Sequence, residues 1–389
     1  IMAYNSRSKS TKSKDLSLIP EEARALSNTS FTSLSIEDLD TFKASLRKEF
    51  GKQSAIDADD FVNEFIPSGI EPLDYLLGGG APAGKWMEIV GREGTGKSTM
   101  GLHMLGHVQN MGGLAAIIDT EGGTGDKYRL DMFKVDPDKC IITMEDLAEK
   151  AFVQIERIAN YIVQKQLKVP SLVILDSLAG LTTAVEQEAE IEASQVAITA
   201  RMIKKGINRV KTICNEANLA VIMTNQSRVK IGGMSNPFTG PEMTSPGGDT
   251  PKFQSITRLF LDRGKFLGEA KMPEGHVINT KIIKCKTAPS LGRMIPIRFY
   301  YDDRGFSNAM TIYDILVQAK LIPSTAWKTF DFPGKGEFKI NGEKGFEDLY
   351  NDNKEYFIGL MKDAYKSQSF SLNSAIESDS PTTDTSGDE

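Results

Sequence analysis

The sequence predicts an α/β protein: a P-loop core on a mainly parallel central sheet, an N-terminal arm and helix, and a small α+β segment near the C-terminus. Three observations carry that expectation. Short apolar runs at Leu114–Asp119, Cys140–Met144, Leu172–Asp176 and Ala220–Asn225 suit strands buried on both faces of a parallel sheet. Amphipathic stretches at Leu147–Gln164 and Ser194–Ala217 lie between such strands, which makes βαβ units. The stretch from Val90 to Met100 contains Gly91, Gly96, Lys97 and Ser98 at the spacing G-x-x-x-x-G-K-[ST]. A strand, Trp86–Val90, is expected to enter it and a helix, Ser98–Gln109, to leave it.

Composition narrows the class. The chain has 389 residues, 40% hydrophobic and 25% charged, ordinary for a globular protein of roughly two or three domains. Cys140, Cys214 and Cys285 form no C-x-x-C pair, which points to a reducing compartment without a disulfide framework or zinc site. The apolar runs are too short to span a bilayer and the first residues form no apolar signal segment, so a cytoplasmic place is expected. A net charge of −6 argues against coating duplex DNA by bulk charge; any nucleic-acid site must be local.

In chain order, residues 2–32 are rich in Ser, Lys and Thr, with Arg7, Lys9, Lys12 and Lys14, and are expected to form a mobile basic arm. Ser35 to Phe50 reads as a helix: Ser35 and Asp38 resemble a capping box, and Gly51 is a stop signal. Its stripe of Ile36, Leu39, Phe42, Leu46 and Phe50 needs a surface, from the chain's own core or a neighbouring subunit. The core is expected over 66–310, ending in antiparallel strands at Ile256–Arg263, Val277–Lys286 and Met294–Tyr301. A helix at Thr311–Leu321 opens a small segment, 311–366, with Trp327, Phe330, Phe332, Phe338, Phe346, Tyr350 and Phe357 as its core. The residues after Lys366 contain no Lys or Arg and read as an acidic, disordered tail, 367–389. The N-terminal unit is then 1–65.

The chemistry gathers where the parallel strands end. Gly91, Arg92, Glu93, Gly94, Thr95, Gly96, Lys97, Ser98 and Thr99 should wrap the phosphates of a nucleotide, Lys97 reaching the β- and γ-phosphates and Ser98 ligating Mg²⁺. The run Leu172–Asp176 ends in a carboxylate that would hold Mg²⁺ directly or through water. The run Ile117–Glu121 ends in one that could orient and deprotonate the attacking water. Gln226, ending a third strand, could read the γ-phosphate. His103 and His107 lie i, i+4 on the helix after the loop, but without an H-E-x-x-H pattern or a third ligand they read as packing or surface residues.

From about Leu39 to Tyr365 these residues resemble the RecA family of recombinases, of the bacterial type and in a divergent or phage-borne form. The resemblance implies that Leu46–Lys52 ends a subunit-exchange helix and that Gly69–Asp74 leads into the P-loop strand. It places Glu121 as the catalytic glutamate, Tyr128 as the residue stacking on adenine, and Gln226 as the coupler between γ-phosphate and DNA loops. It further implies that Lys284 and Lys286, within Thr280–Pro289, cross the subunit interface to the neighbour's ATP, as an arginine finger does. There is one departure at the base site: Gly125 stands where the family has an adenine-contacting aspartate, and Asp126 is the expected substitute.

Two long loops are expected, at Thr182–Val196 and Ser227–Pro251. The first carries Glu186, Glu188, Glu190 and Glu192, which repel phosphates, but the helix after it carries Arg201, Lys204, Lys205, Arg209 and Lys211. By resemblance Arg201 lies on the DNA backbone; the family's second arginine appears here as Asn208, with Arg209 beside it. The second loop, with Arg228, Lys230, Ile231, Gly247 and Gly248, resembles a DNA loop in which Ile231 wedges between bases. The function implied is a DNA-dependent ATPase, using ATP and Mg²⁺, that forms filaments on single-stranded DNA and exchanges strands with a homologous duplex. Single-strand-binding protein and recombination mediators are further expected partners. A hexameric RecA-fold helicase and a non-catalytic ATP-binding accessory protein are the competing readings.

Overall fold

Strands that lack a polar face must be covered on both sides, and that requirement sets the architecture. The computed structural model describes residues 35–51, 64–188, 196–229, 235–236, 240–241, 243–244, 246–269, 271–323, 325, 327–332 and 336–367. The expected basic arm and acidic tail lie outside the described residues. The chain divides into two units, Ile1–Val62 and Asn63–Glu389.

The first unit contributes α1 (Ile36–Phe50). Ser35 caps it, its hydroxyl accepting from Asp38 N at 3.0 Å and donating to the Asp38 carboxylate at 2.5 Å. Gly51 ends it at φ 92°, a conformation that disfavours any side chain. None of its side chains is buried; Ile36, Phe42 and Phe50 are 79%, 59% and 66% exposed.

The second unit begins with β1 (Phe65–Ile66), α2 (Glu71–Leu77), β2 (Ala81–Pro82), β3 (Trp86–Gly91), α3 (Lys97–Asn110), β4 (Leu114–Asp119), α4 (Lys127–Met132) and β5 (Cys140–Met144). It continues through α5 (Ala148–Lys165), β6 (Ser171–Asp176), α6 (Ala184–Glu188), α7 (Val196–Glu216) and β7 (Leu219–Gln226). Four short strands follow, β8 (Arg228–Val229), β9 (Ser235–Asn236), β10 (Gly240–Pro241) and β11 (Met243–Thr244), then α8 (Thr250–Gln254). The long β12 (Thr257–Glu269) and β13 (Met272–Cys285) precede β14 (Met294–Tyr300), β15 (Phe306–Ser307) and α9 (Asn308–Gln318). The chain closes with β16 (Trp327–Phe332), β17 (Gly336–Asn341), α10 (Gly342–Asp352) and α11 (Lys354–Lys366).

Among the described residues, nine strands make one sheet in the order β15-β14-β13-β12-β3-β7-β6-β4-β5. Pairing is parallel from β12 to β5 and antiparallel from β12 to β15. Every residue of β3 and β6 is buried. Side chains alternate between two apolar clusters. Ile89, Ile117, Ile174 and Ile222 meet α2 and α3 on one face. Ala116, Val173 and Val221 meet α5 and α7 on the other. At the α5–α7 crossing an added Cβ on Gly206 would lie 2.1 Å from the Phe152 ring, so this close approach requires glycine.

The expected helices and parallel strands are present to within a residue or two. Elsewhere the structure corrects the sequence. β12 and β13 extend well beyond the expected spans, because polar positions such as Lys265 and Glu274 lie where the hairpin outruns the core. The helix expected at 311 starts at Asn308, since Ser307 caps it through Met310 N at 3.2 Å. Residue 311, where the small segment is expected to open, lies within the first turn of α9. Moreover Phe346, Phe357 and Met361 share one apolar cluster with the sheet. The stretch expected as a first loop holds the short α6, with 189–195 outside the described residues. The second is hairpin-like, β8 pairing with β11 and β9 with β10.

Arg298 on β14 fastens the C-terminal helices. Its buried guanidinium donates to Asp314 on α9 at 2.7 Å through both Nε and Nη2, and to Glu343 on α10 at 2.7 and 2.9 Å. These two carboxylates outweigh desolvation and hold its pKa above the ordinary arginine range. Replacing Arg298 by alanine strands the largely buried Asp314 carboxylate and releases Glu343. Chemical denaturation is expected to show a loss of about 3–5 kcal/mol, as for one partner removed from a buried ion pair.

Candidate functional site

Four neighbouring strands deliver their C-terminal residues to one end of the sheet. β3 ends at Gly91, level with Gln226 at the end of β7; Asp119, ending β4, is level with Asp176, ending β6. Gly94 and Gly96 turn the loop after β3 with φ 68° and 92°, and α3 begins at Lys97. The first turn of α3 leaves backbone N–H groups with no intrahelical acceptor, and its dipole favours an anion there. Lys97 Nζ folds back and donates to Arg92 O at 2.7 Å, as does Thr95 Oγ1 at 2.9 Å. Burial pulls the Lys97 pKa down, while Asp176, Glu121 and Glu93 pull it up. Ser98 and Thr99 are half-buried behind it, and Arg92 and Glu93 are exposed on the rim.

The carboxylates are held by a network that sequence reasoning missed. The buried Asp119 accepts four backbone N–H groups: Glu121 at 3.1 Å, Gly122 at 2.8 Å, Thr124 at 2.7 Å and Gly125 at 3.0 Å. That bends the chain after β4 into a turn and returns Thr124 toward β6. There the hydroxyls of Thr124 and Thr224 hydrogen-bond the two oxygens of Asp176. Thr120 clamps the neighbouring peptide, accepting from Ser177 N at 2.8 Å and donating to Ser177 O at 2.9 Å. Glu121 is exposed and accepts from Ser177 Oγ at 2.5 Å. Asp119 belongs to the same strand end as Glu121, so the signal was present but read only for the second carboxylate. Thr124 and Thr224 carry no such signal. Arg263, on β12, also went unread; its guanidinium donates to Gly94 O from Nη2 at 2.5 Å.

These donors suit a triphosphate and a hard cation. Lys97 and the helix terminus offer positive charge to phosphate oxygens. Asp176 and the Ser98 hydroxyl offer oxygen ligands of the kind Mg²⁺ takes, directly or through its waters.

The remaining expected residues are distributed. Tyr128 is 73% exposed beside this site. Asp126 caps α4, accepting Tyr128 N at 2.9 Å, which assigns one of its oxygens to the chain's own helix. Lys284 and Lys286 are not at this end. Lys284 pairs with Arg258, which is level with Glu88, and Lys286 N donates to Ile256 O, near Trp86. At about 3.3 Å per residue they lie roughly 10 and 16 Å from Gly91 along the strands. Lys284 Nζ donates to the carbonyls of Lys252 and Phe253 at 2.7 and 3.1 Å. Burial chiefly, and Lys286 next, lower its pKa.

Arg201 is exposed on α7. Arg209, expected with it, is instead engaged by Glu156 of α5, at 2.8 Å from Nη2. Arg228 lies on β8, and Gly247 and Gly248 form a turn with φ 85° and 65° before α8. Lys230 and Ile231 lie outside the described residues. His103 packs against Phe306 in a tilted arrangement, ring centroids 4.7 Å apart, and burial brings its pKa down to about 4.

Sheet order, a glycine loop at a helix start and carboxylates ending two neighbouring strands together define the α/β P-loop fold. The RecA N-terminal domain family matches residues 37–306. Protein RecA of Nocardioides sp. is 32% identical over 315 residues, 80% of this chain and 86% of that one. Protein RecA of Acholeplasma laidlawii is 32% identical over 308 residues, covering 78% and 89%. That of Thermotoga neapolitana is 35% identical over 249 residues, covering 63% and 68%. The chain belongs to the RecA family.

Asp119→Ala is expected to release the turn from Glu121 to Gly125. Amide exchange there should accelerate at least tenfold, and stability should fall by about 2–3 kcal/mol, the loss for several unpaired buried groups. Unchanged exchange would show that the turn holds without the carboxylate.

Proposed function

We propose that this chain is an ATP-dependent DNA strand-exchange recombinase that assembles as a filament on single-stranded DNA and pairs it with a homologous duplex. One observation carries the reading. The P-loop, Asp176 and Glu121 stand at one end of the sheet, and Lys284 and Lys286 stand toward the other. A protomer thus holds two halves of an ATP site that face different neighbours. Such a heterologous contact propagates head to tail.

In this reading Lys97 leaves Arg92 O for the β- and γ-phosphate oxygens. Gly91, Arg92, Glu93, Gly94, Thr95 and Gly96 wrap the phosphates, and Thr99 supports the first helical turn. Ser98 and Asp176 would hold Mg²⁺, which would supply charge neutralisation on the phosphate oxygens. Glu121, oriented by Ser177, takes a proton from the attacking water. Tyr128 stacks on the base. Gln226 answers the γ-phosphate, and Arg228, Gly247 and Gly248 of the hairpin, with Lys230 and Ile231 from the same stretch of sequence, grip DNA together with Arg201. Arg209 is the weakest member of the set, because its Glu156 pairing must first be exchanged for a phosphate. The stripe on α1 is matched to a neighbouring subunit. Among the described residues no helix is long and apolar enough to cross a membrane.

Lys97→Ala is expected to abolish ATP hydrolysis and ATP-dependent DNA binding; near-normal turnover would remove the loop from the chemistry. Glu121→Gln should assemble with ATP but turn over at least about a hundredfold more slowly, the lower end of the range for a general base. Failure to assemble would make Glu121 structural. Lys284→Ala should lose DNA-stimulated turnover while keeping nucleotide binding. Electron microscopy of the ATP-bound protein on single-stranded DNA separates filaments from the rings of a helicase, and an absence of DNA-stimulated turnover would favour an accessory protein.

A further inference from the structure

β3 carries a charge where its sequence is otherwise apolar. Glu88 lies between Met87 and Ile89, three residues before Gly91, and is 0% exposed. An unpaired carboxylate cannot persist there, so its partners define its role. Oε1 accepts from Asn225 Nδ2 at 2.9 Å, and Oε2 accepts from Arg258 Nε at 2.5 Å. Asn225 is also fully buried, and its Nδ2 donates to Pro246 O at 3.1 Å. Its Oδ1 finds no partner among the described residues.

Each partner belongs to a different part of the proposed machinery. Asn225 directly precedes Gln226. Pro246 closes the hairpin just before the Gly247–Gly248 turn. Arg258 faces Lys284 across the β12–β13 ladder. Lys284 in turn is tied through Lys252 O and Phe253 O to α8, the element that follows the hairpin. One carboxylate therefore touches the end of β7 and the strand pair that carries the lysines, and it reaches the exit of the hairpin through the Asn225 amide.

We propose that Glu88 is a positioning residue that couples the nucleotide-reading end of β7 and the DNA hairpin to Lys284 and Lys286. The inference rests on the ATP and DNA reading above. A displacement of Gln226 carries Asn225 with it through the shared backbone. It changes the hydrogen bond that Glu88 receives, and with it the pairing that holds Arg258 beneath Lys284. Asn225, with one acceptor unpaired, has a second arrangement open to it. In the other direction, a hairpin ordered by DNA fixes Pro246 O and selects one arrangement of the amide.

The test separates coupling from simple structural support. Glu88→Gln alone leaves Arg258 unpaired in a buried place and is expected to destabilise the fold. The double variant Glu88→Gln/Arg258→Met removes both charges at similar volume, which a buried pair tolerates. It is expected to melt within a few degrees of the wild type and to keep KM for ATP and DNA-independent turnover within twofold. Stimulation by single-stranded DNA should fall at least tenfold. Asn225→Leu, which keeps Glu88 paired with Arg258, should lose stimulation in the same way. If either variant folds and is stimulated as strongly as the wild type, the coupling role is wrong. If the wild type itself shows no DNA-stimulated turnover, the functional reading fails first, whatever the variants do.

Discussion

A carboxylate at the buried end of an apolar strand must be satisfied from both sides, and Asp176 shows how the rest of the site follows from that constraint. One oxygen takes a hydroxyl from β7, the other a hydroxyl from the turn after β4. The second bond exists only because Asp119 has folded that turn back by accepting four of its N–H groups. Three strands and one turn are thus held in register around an anionic pair. Glu121 inherits its place from the same turn, with Ser177 adding its orientation. The glycine loop stands beside this assembly with the opposite charge, supplied by Lys97 and a helix start.

Much of this was legible in the amino-acid sequence. Buried parallel strands announce themselves as uninterrupted apolar runs, and β3, β4, β6 and β7 fall where those runs are. The loop around Lys97 and the carboxylates of Glu121 and Asp176 follow from the same strand ends. What stayed hidden has a physical reason in each case. Thr124 and Thr224 are ordinary residues until a fold brings them to one carboxylate. Glu88 looks like an interruption of an apolar strand, and only Arg258, 170 residues later, explains it. The lengths of β12 and β13 were underestimated because a hairpin that outgrows its sheet loses the apolar alternation that marks a strand. The hairpin pairing of β8 to β11 has no such pattern at all, since its strands are two residues long. The capping role of Asp126, one of whose oxygens accepts Tyr128 N at the start of α4, also went unread.

The division of charged groups between the two ends of the sheet bears on assembly. Lys284, which donates to the Lys252 and Phe253 carbonyls of α8, is already provided for in the single protomer. In the proposed assembly its transfer to another molecule's phosphates would be an exchange of acceptors rather than the filling of a void. The same holds for Lys97, parked on Arg92 O. Polar partners of comparable kind exist in both states, so the energetic difference between them is modest, which suits a contact that must open after each turnover.

The helix α1 adds a consequence of a different sort. Fifteen residues without a single buried side chain are too few to keep a helix intact in water by themselves. Capping at Ser35 and Gly51 narrows the deficit without closing it. In the proposed assembly, contacts of its apolar stripe with a neighbouring subunit would add to the order of this segment, and a chain end peeling from the last subunit would fray before it departs. Disassembly would then begin by melting, one terminus at a time.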